Sequence, residues 1–217
     1  MKRSPFVDIL LRPLITIIAA VFFRLKAENR KFIPRGGLIL AGNHISDWDP
    51  PFIAAAVPRG VHFMAKSEMF KTALLSNVMH ALGAFPVNRS SSVNSDALKT
   101  AIDLVLDGNA VIIFPEGTRS KTGRLLPSKA GVGYMAHATK APVVPFFISG
   151  TDHPIGAFFF KARFCITFGA PLTSEELEKH YESGGPGESA RYIMEKVKEM
   201  KDIKENKVET EKGTLNG

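Results

Sequence analysis

The chain has 217 residues, 45% of them hydrophobic, enough for one domain with a sizeable core. Its formal net charge of +7 favours anionic partners, but most of the sixteen phenylalanines sit in apolar strings such as VVPFF and GAFFF rather than among basic residues, which argues against nucleic acid. The lone cysteine, Cys165, excludes an intrachain disulfide and a thiolate metal site.

The chain opens on an apolar segment that carries basic residues. Between Arg12 and Arg24 lie eleven uncharged residues, well short of the roughly 20 that span a bilayer as a helix. Read as a helix, the segment places Phe6, Ile9, Leu10, Leu14, Ile17, Ile18, Val21, Phe22 and Leu25 on one face. Lys2, Arg3, Arg12, Arg24, Lys26, Arg30 and Lys31 occupy its ends and remaining surface. This is the pattern of an interfacial helix drawn to anionic headgroups, and Pro13 is expected to bend or divide it. A helix packed wholly on the protein core and a short true span are the competing readings. A cleaved secretory signal is disfavoured, since no small-residue cleavage site precedes the charged stretch RLKAENRK. Residues 1–31 are therefore read as a membrane-associating helical segment, 32–200 as the globular body and 201–217 as a disordered tail of mixed charge.

In the body, short apolar runs read as strands at Leu38 to Gly42, Val61 to Ala65, Ala84 to Val87, Ala110 to Phe114, Val143 to Ile148 and Arg163 to Phe168. Their spacing implies helices between most of them. The clearest helix runs from about Asn94 to Asp107, with Ala97, Leu98, Ala101, Ile102, Val105 and Leu106 as its buried stripe. Ser92 or Asn94 can cap its start and Gly108 its end. It feeds the apolar run AVIIF, a central strand. Another helix is expected from Glu188 to Met200, separated by ESGGPG from what precedes it. Cys165, in the alternating run KARFCITFG, reads as a small buried apolar residue. The expected fold class is α/β, a mixed central sheet flanked by helices with the N-terminal interfacial segment attached.

Two polar motifs interrupt this apolar frame. In NHISDWDP, His44 and Asp49 are five residues apart, a separation that puts neither a helical nor an extended pair on one face. They meet only if the backbone turns between them, and then Asp49 would take one ring nitrogen while the other accepts a hydroxyl proton. Two structural readings compete: Asp49 followed by Pro50 as a helix N-cap, and Asp47 as the nearer aspartate of a helical stretch. In FPEGTRS, Pro115 and Gly117 constrain a turn after a strand, leaving Glu116, Thr118 and Arg119 at the sheet edge where open α/β proteins gather ligand contacts. Arg119 suits a phosphate through its planar fork, with Thr118 as a neutral donor. Glu116 is expected to face Arg119, a substrate hydroxyl or another basic residue. Arg89, in GAFPVNRS, is the second candidate phosphate contact, and Lys129, in LLPSKAGVGYMA, a third.

Four further histidines, His62, His80, His137 and His153, form no zinc pattern with the carboxylates. The chain also lacks GxSxG and GxxxxGK, which removes the main support for a serine hydrolase or a nucleotide triphosphatase.

With these motifs in order, the chain resembles the glycerolipid acyltransferase family, and within it the bacterial 1-acylglycerol-3-phosphate acyltransferases. The resemblance rests on NHISDWD with His44 and Asp49, GAFPVNR with Gly83 and Arg89, FPEGTRS with Glu116, Gly117, Thr118 and Arg119, and APVVPF around Pro145. These blocks cover about residues 38 to 150. Pro86 stands where many relatives have isoleucine or valine.

The resemblance implies acyl transfer from a thioester, acyl-CoA or acyl-carrier-protein, to the free hydroxyl of a 1-acylglycerol-3-phosphate, forming phosphatidic acid without metal or cofactor. His44 would be the base and Asp49 its partner. Arg89, Arg119 and Lys129 would hold the acceptor phosphate; Gly83, Glu116, Gly117, Thr118 and Pro145 would organise the pocket. The expected partners are lysophospholipid, acyl donor and anionic membrane lipids, at the cytoplasmic face of the cell membrane as a peripheral or monotopic protein. The alternatives are another acceptor, glycerol-3-phosphate or a different lysophospholipid, and a noncatalytic anionic-lipid-binding protein.

Overall fold

The computed structural model describes residues 12–87, 95–152 and 163–215. Its strands are β1 (Lys26–Glu28), β2 (Leu38–Gly42), β3 (Val61–Lys66), β4 (Ala84–Val87), β5 (Ala110–Ile113), β6 (Val143–Ser149) and β7 (Cys165–Phe168). The helices are α1 (Arg12–Phe22), α2 (Asp49–Ala56), α3 (Ala73–Ala81), α4 (Ser95–Leu106), α5 (Gly131–Thr139) and α6 (Ser174–Leu215). The strands form one sheet in the order β1-β7-β6-β2-β5-β3-β4. All neighbours are parallel except β6 and β7, so the sheet is mixed, as expected.

β2 is the centre because its residues LILAG are apolar throughout and buried on both faces. The two-residue period sends Leu38 and Leu40 to one side, where they meet Phe52 and Ile53 of α2 and Phe164. Ile39 and Ala41 go to the other, among Leu104 and Val105 of α4, Val132 and Met135 of α5, and Ile193 of α6.

Strand positions follow the apolar runs closely, and β1 is the addition. Its residues KAE have no alternation, yet they pair in parallel with β7, Lys26 opposite Cys165. The sheet thus takes in part of the segment 1–31 that the sequence assigns to a helix, because the open edge of β7 offers backbone partners to any extended neighbour. Pro86 lies on the edge strand β4, where a missing N–H is tolerated. Pro145 is inside β6. Its carbonyl accepts from the Gly169 amide (2.8 Å), one step past the β6–β7 pair at Phe146 and Phe168, and the proline returns no N–H there.

α1 lies on α2 rather than wholly in the core. Ala19 is buried and Thr16 donates to the carbonyl of Ala55 (3.1 Å), while Ile17, Ile18, Val21 and Phe22 are exposed. No helix among the described residues is long and apolar enough to cross a membrane. Pro13 is the second residue of α1, and Phe6, Ile9 and Leu10 lie outside the described residues. So do Ser92 and Asn94, the expected caps of α4, whereas Gly108 closes that helix with φ +82° as predicted.

The expected tail after residue 200 is corrected: α6 continues to Leu215. Pairs at three- and four-residue spacing, Lys196 with Glu199, Lys198 with Asp202 and Lys201 with Glu205, supply what large apolar residues do not. Gly184 and Gly185 break the helical dihedrals in ESGGPG, so two helical stretches meet at a kink.

α5 and α6 approach closely at Gly133, where an added Cβ would stand 2.0 Å from the Pro186 carbonyl oxygen. Gly133→Ala is expected to lower unfolding stability by about 2 kcal/mol or more, the usual cost of forcing extra volume into a packed contact. Urea denaturation would read this as a lower midpoint at unchanged slope.

Candidate active site

His44 follows β2, and the four residues between it and Asp49 make a turn that ends where α2 begins. The imidazole Nδ1 lies 2.8 Å from Asp49 Oδ2. That oxygen also accepts the backbone N–H groups of Ile45 (2.7 Å) and Ser46 (2.9 Å), and Oδ1 accepts the hydroxyl of Thr151. An oxygen that already serves two amides is an acceptor, so Nδ1 carries the proton and Nε2 is left with its lone pair. The stretch is not helical, and Asp49 reaches back to the residues before it rather than capping α2. Asp47 is exposed and turns away.

Three further contacts fix the imidazole and its backbone. The ring stacks on Phe114, centroids 4.0 Å apart. The His44 amide donates to Glu116 Oε1 (3.3 Å), and its carbonyl accepts from the Ser120 amide (2.7 Å). Before it, Asn43 joins β6 with both ends of its side-chain amide, donating to the Ile148 carbonyl (2.9 Å) and accepting its N–H (2.8 Å).

His44 lines a cleft of about 420 Å³ with Pro50, Met64, Val87, Ile112, Ile113, Phe114, Gly117, Thr118 and Lys129. It lies at the C-terminal ends of β2, β3, β4 and β5, where parallel sheets collect ligands. Its lining is polar and apolar in about equal parts, with the imidazole, a hydroxyl and one ammonium facing the side chains of Pro50, Met64, Val87, Ile112, Ile113 and Phe114. Gly117, at φ +68°, lets the Lys129 side chain lie against the turn: a Cβ there would stand 2.8 Å from its Cε and Nζ. The Lys129 amide in turn donates to the Pro115 carbonyl (2.8 Å).

Other sequence candidates fall elsewhere. Arg119 pairs with Asp47 (2.5 Å) and lines a second cleft, of about 400 Å³, with Trp48, Ser120 and Lys121. Arg89 and His153 lie outside the described residues. Pro145 does not line the first cleft and packs in the sheet against Gly169. Gly83, at φ +89°, turns the chain from α3 into β4, and its carbonyl lies 3.2 Å from His62 Nδ1. Among the described residues no three His, Cys, Asp or Glu side chains group as metal ligands.

Glu116 is turned inward, and Arg119 pairs with Asp47 instead. Its buried carboxyl accepts amides of His44 and Leu126, tying the two loops together. Burial pushes it up to about 7 against the pull of those amides, and the Asp49 carboxylate adds to the rise. A raised carboxyl holds its proton more tightly when folded. That stability is present below the unfolded value near 4.5 and is lost as pH rises toward 7. Glu116→Gln mimics the protonated form. Urea melts from pH 4 upward should therefore show the variant gaining on the wild type by roughly 2–3 kcal/mol up to about pH 7, at about 1.4 kcal/mol per unit, with no further change above it.

Comparison with known proteins places this geometry. A family model described as Acyltransferase matches residues 24–149. Over 149 residues the chain is 32% identical to a 1-acyl-sn-glycerol-3-phosphate acyltransferase of Bacillus subtilis, covering 68% of this chain and 73% of that protein. Over 111 residues it is 38% identical to a protein of the same name from Cocos nucifera, covering 50% of this chain and 36% of that longer relative. Among solved structures it is similar to the 1-acyl-sn-glycerophosphate acyltransferase PlsC of Thermotoga maritima, with TM-score 0.64, 26% identity, and coverage of 88% of this chain and 80% of that one. The family match spans β1 to β6, the His44–Asp49 turn and the Glu116 loop, and the chain belongs to the acyltransferase family.

Proposed function

We propose that this chain transfers a fatty acyl group from a thioester to the free hydroxyl of 1-acylglycerol-3-phosphate, forming phosphatidic acid at a membrane surface. The observation that carries the reading is His44, held by Asp49 through Nδ1, sharing one cleft with Lys129. The acceptor is the one for which the relatives from Bacillus subtilis and Cocos nucifera are named. An ester cannot form by this route without an activated acyl group, and the donor assigned here is a thioester, acyl-CoA or acyl-carrier-protein.

In the proposed step the acceptor hydroxyl gives its proton to His44 Nε2 as its oxygen attacks the thioester carbonyl carbon. The tetrahedral oxyanion then collapses, the carbon–sulfur bond breaks, and the imidazolium returns the proton to the departing thiolate. Asp49 stabilises the imidazolium between these events and keeps the ring in one tautomer. No oxidation state changes, so the residues already described suffice for the proton transfers.

Lys129 reaches the same cleft and is assigned to the acceptor phosphate, with Arg89 retained from its motif position. Arg119 is assigned to the mouth of the site, where its pair with Asp47 is exposed and open to exchange for a phosphate oxygen. The exposed side of α1 and the basic residues after it are assigned to an anionic bilayer on the cytoplasmic side, so that acyl chains need not be drawn through water at about 0.8 kcal/mol per methylene.

The test offers purified protein 1-acylglycerol-3-phosphate in mixed micelles with each donor and follows thiol release and phosphatidic acid. His44→Ala should abolish transfer, and Asp49→Asn should lower kcat by roughly 100-fold to 10,000-fold, the range for losing a base or its orienting carboxylate. Transfer that survives His44→Ala would sink the mechanism; no transfer by the folded wild type from either donor would sink the assignment. Lys129→Gln should raise KM for the acceptor by about tenfold or more with a smaller change in kcat, as for loss of one charged hydrogen bond. A Lys129 variant with unchanged acceptor KM would remove that residue from the phosphate site.

A further inference from the structure

Trp48, the only tryptophan of the chain, stands inside the His44–Asp49 turn and is 51% exposed. Its neighbours in sequence are fully engaged: Asp49 holds the imidazole, Ser46 gives an amide to Asp49 and accepts the Trp48 N–H at its hydroxyl (3.3 Å), and Asp47 pairs with Arg119. The indole takes no part in these bonds. It meets Phe52 (centroids 6.2 Å apart), which contacts Phe23 just beyond α1 (5.0 Å).

These contacts orient the two helices. Thr16 of α1 is bonded to Ala55 near the end of α2, and Phe23 touches Phe52 near its start, so α1 and α2 run in opposite directions. Trp48, which precedes α2, therefore lies toward the C-terminal end of α1, the end where Val21 and Phe22 are exposed (57% and 45%). Arg30 and Lys31 follow in sequence and are also exposed, and the whole chain carries +7.

We infer that Trp48 is an interfacial anchor carried by the His44–Asp49 turn itself, seated at the headgroup level of an anionic bilayer alongside the exposed side of α1. The inference rests on the proposed attachment of the chain to such a bilayer. An indole with an apolar body and one polar N–H suits that depth, where one end is dry and the other wet. The basic residues supply charge complementarity to acidic headgroups. Because the indole belongs to the same turn as the imidazole, its depth sets the height of the cleft mouth above the acyl chains.

With a single tryptophan, intrinsic fluorescence of the unmodified full chain reports this residue alone. The protein would be mixed with vesicles of equal parts phosphatidylcholine and phosphatidylglycerol, its cosedimentation measured, and its emission recorded with lipids brominated near the carbonyl or near the methyl end. The expected result is cosedimentation, a blue shift and stronger quenching by the shallow bromines. Cosedimentation with unshifted, unquenched emission would overturn the inference while leaving attachment through α1 intact. Stronger quenching by the deep bromines would overturn the assigned depth, and failure to cosediment would overturn attachment and anchor together.

Discussion

The organising interaction of the structure is the buried carboxylate of Asp49. Two backbone amides, one imidazole N–H and one threonine hydroxyl converge on it, from the turn after β2 and from the chain just past β6. An unsatisfied carboxylate at this depth would be costly, and these donors are what make it tolerable. The bonds that close the turn also orient the ring. Folding and the proposed chemistry therefore depend on one set of contacts. The Glu116 loop adds a second brace, gripping the His44 backbone at both its N–H and its carbonyl.

Around that centre the cations divide between two clefts. Lys129 shares a cleft with His44, and Arg119 opens onto the neighbouring one beside Asp47. An acceptor phosphate held in the first cleft lies near the proposed base, whereas a phosphate met first at Arg119 must exchange a surface ion pair, which is worth little in water. The arrangement suits capture at the mouth followed by transfer inward. The acidic member of the FPEGTRS turn, Glu116, is directed into the protein, where burial favours its neutral form.

Most of the scaffold was legible because its strands are continuous apolar runs, and β2 and β4 keep the ends read from the residues. The His44–Asp49 contact was open to reading too, since the polar stretch between them, followed by Pro50 and Pro51, is able to turn, and the structure selects it over the N-cap and helical Asp47 alternatives. Thr151 was not. It lies 102 residues from Asp49, and only the course of β6 brings it there, through a turn at Gly150 (φ +87°). That Glu116 turns into the protein was not legible for a related reason: which residue of a tight turn is buried depends on the sheet beneath. β1 carried no alternation to read, and the end of α6 rests on surface ion pairs that composition alone makes look like solvated tail.

The side-chain amide of Asn43 copies a peptide group, bonding both polar atoms of Ile148 and adding one rung to the β2–β6 ladder past Gly42. The cleft therefore has walls of unequal stiffness. On the His44 side, central strands paired on both flanks are locked by that extra rung. On the other side, Met64 and Val87 stand on β3 and the edge strand β4, which is paired on one flank only. Adaptation to longer, shorter or branched acyl chains would then be absorbed by the β3–β4 wall. Selection for new chain lengths should accumulate its changes there, leaving the ring and its carboxylate undisturbed.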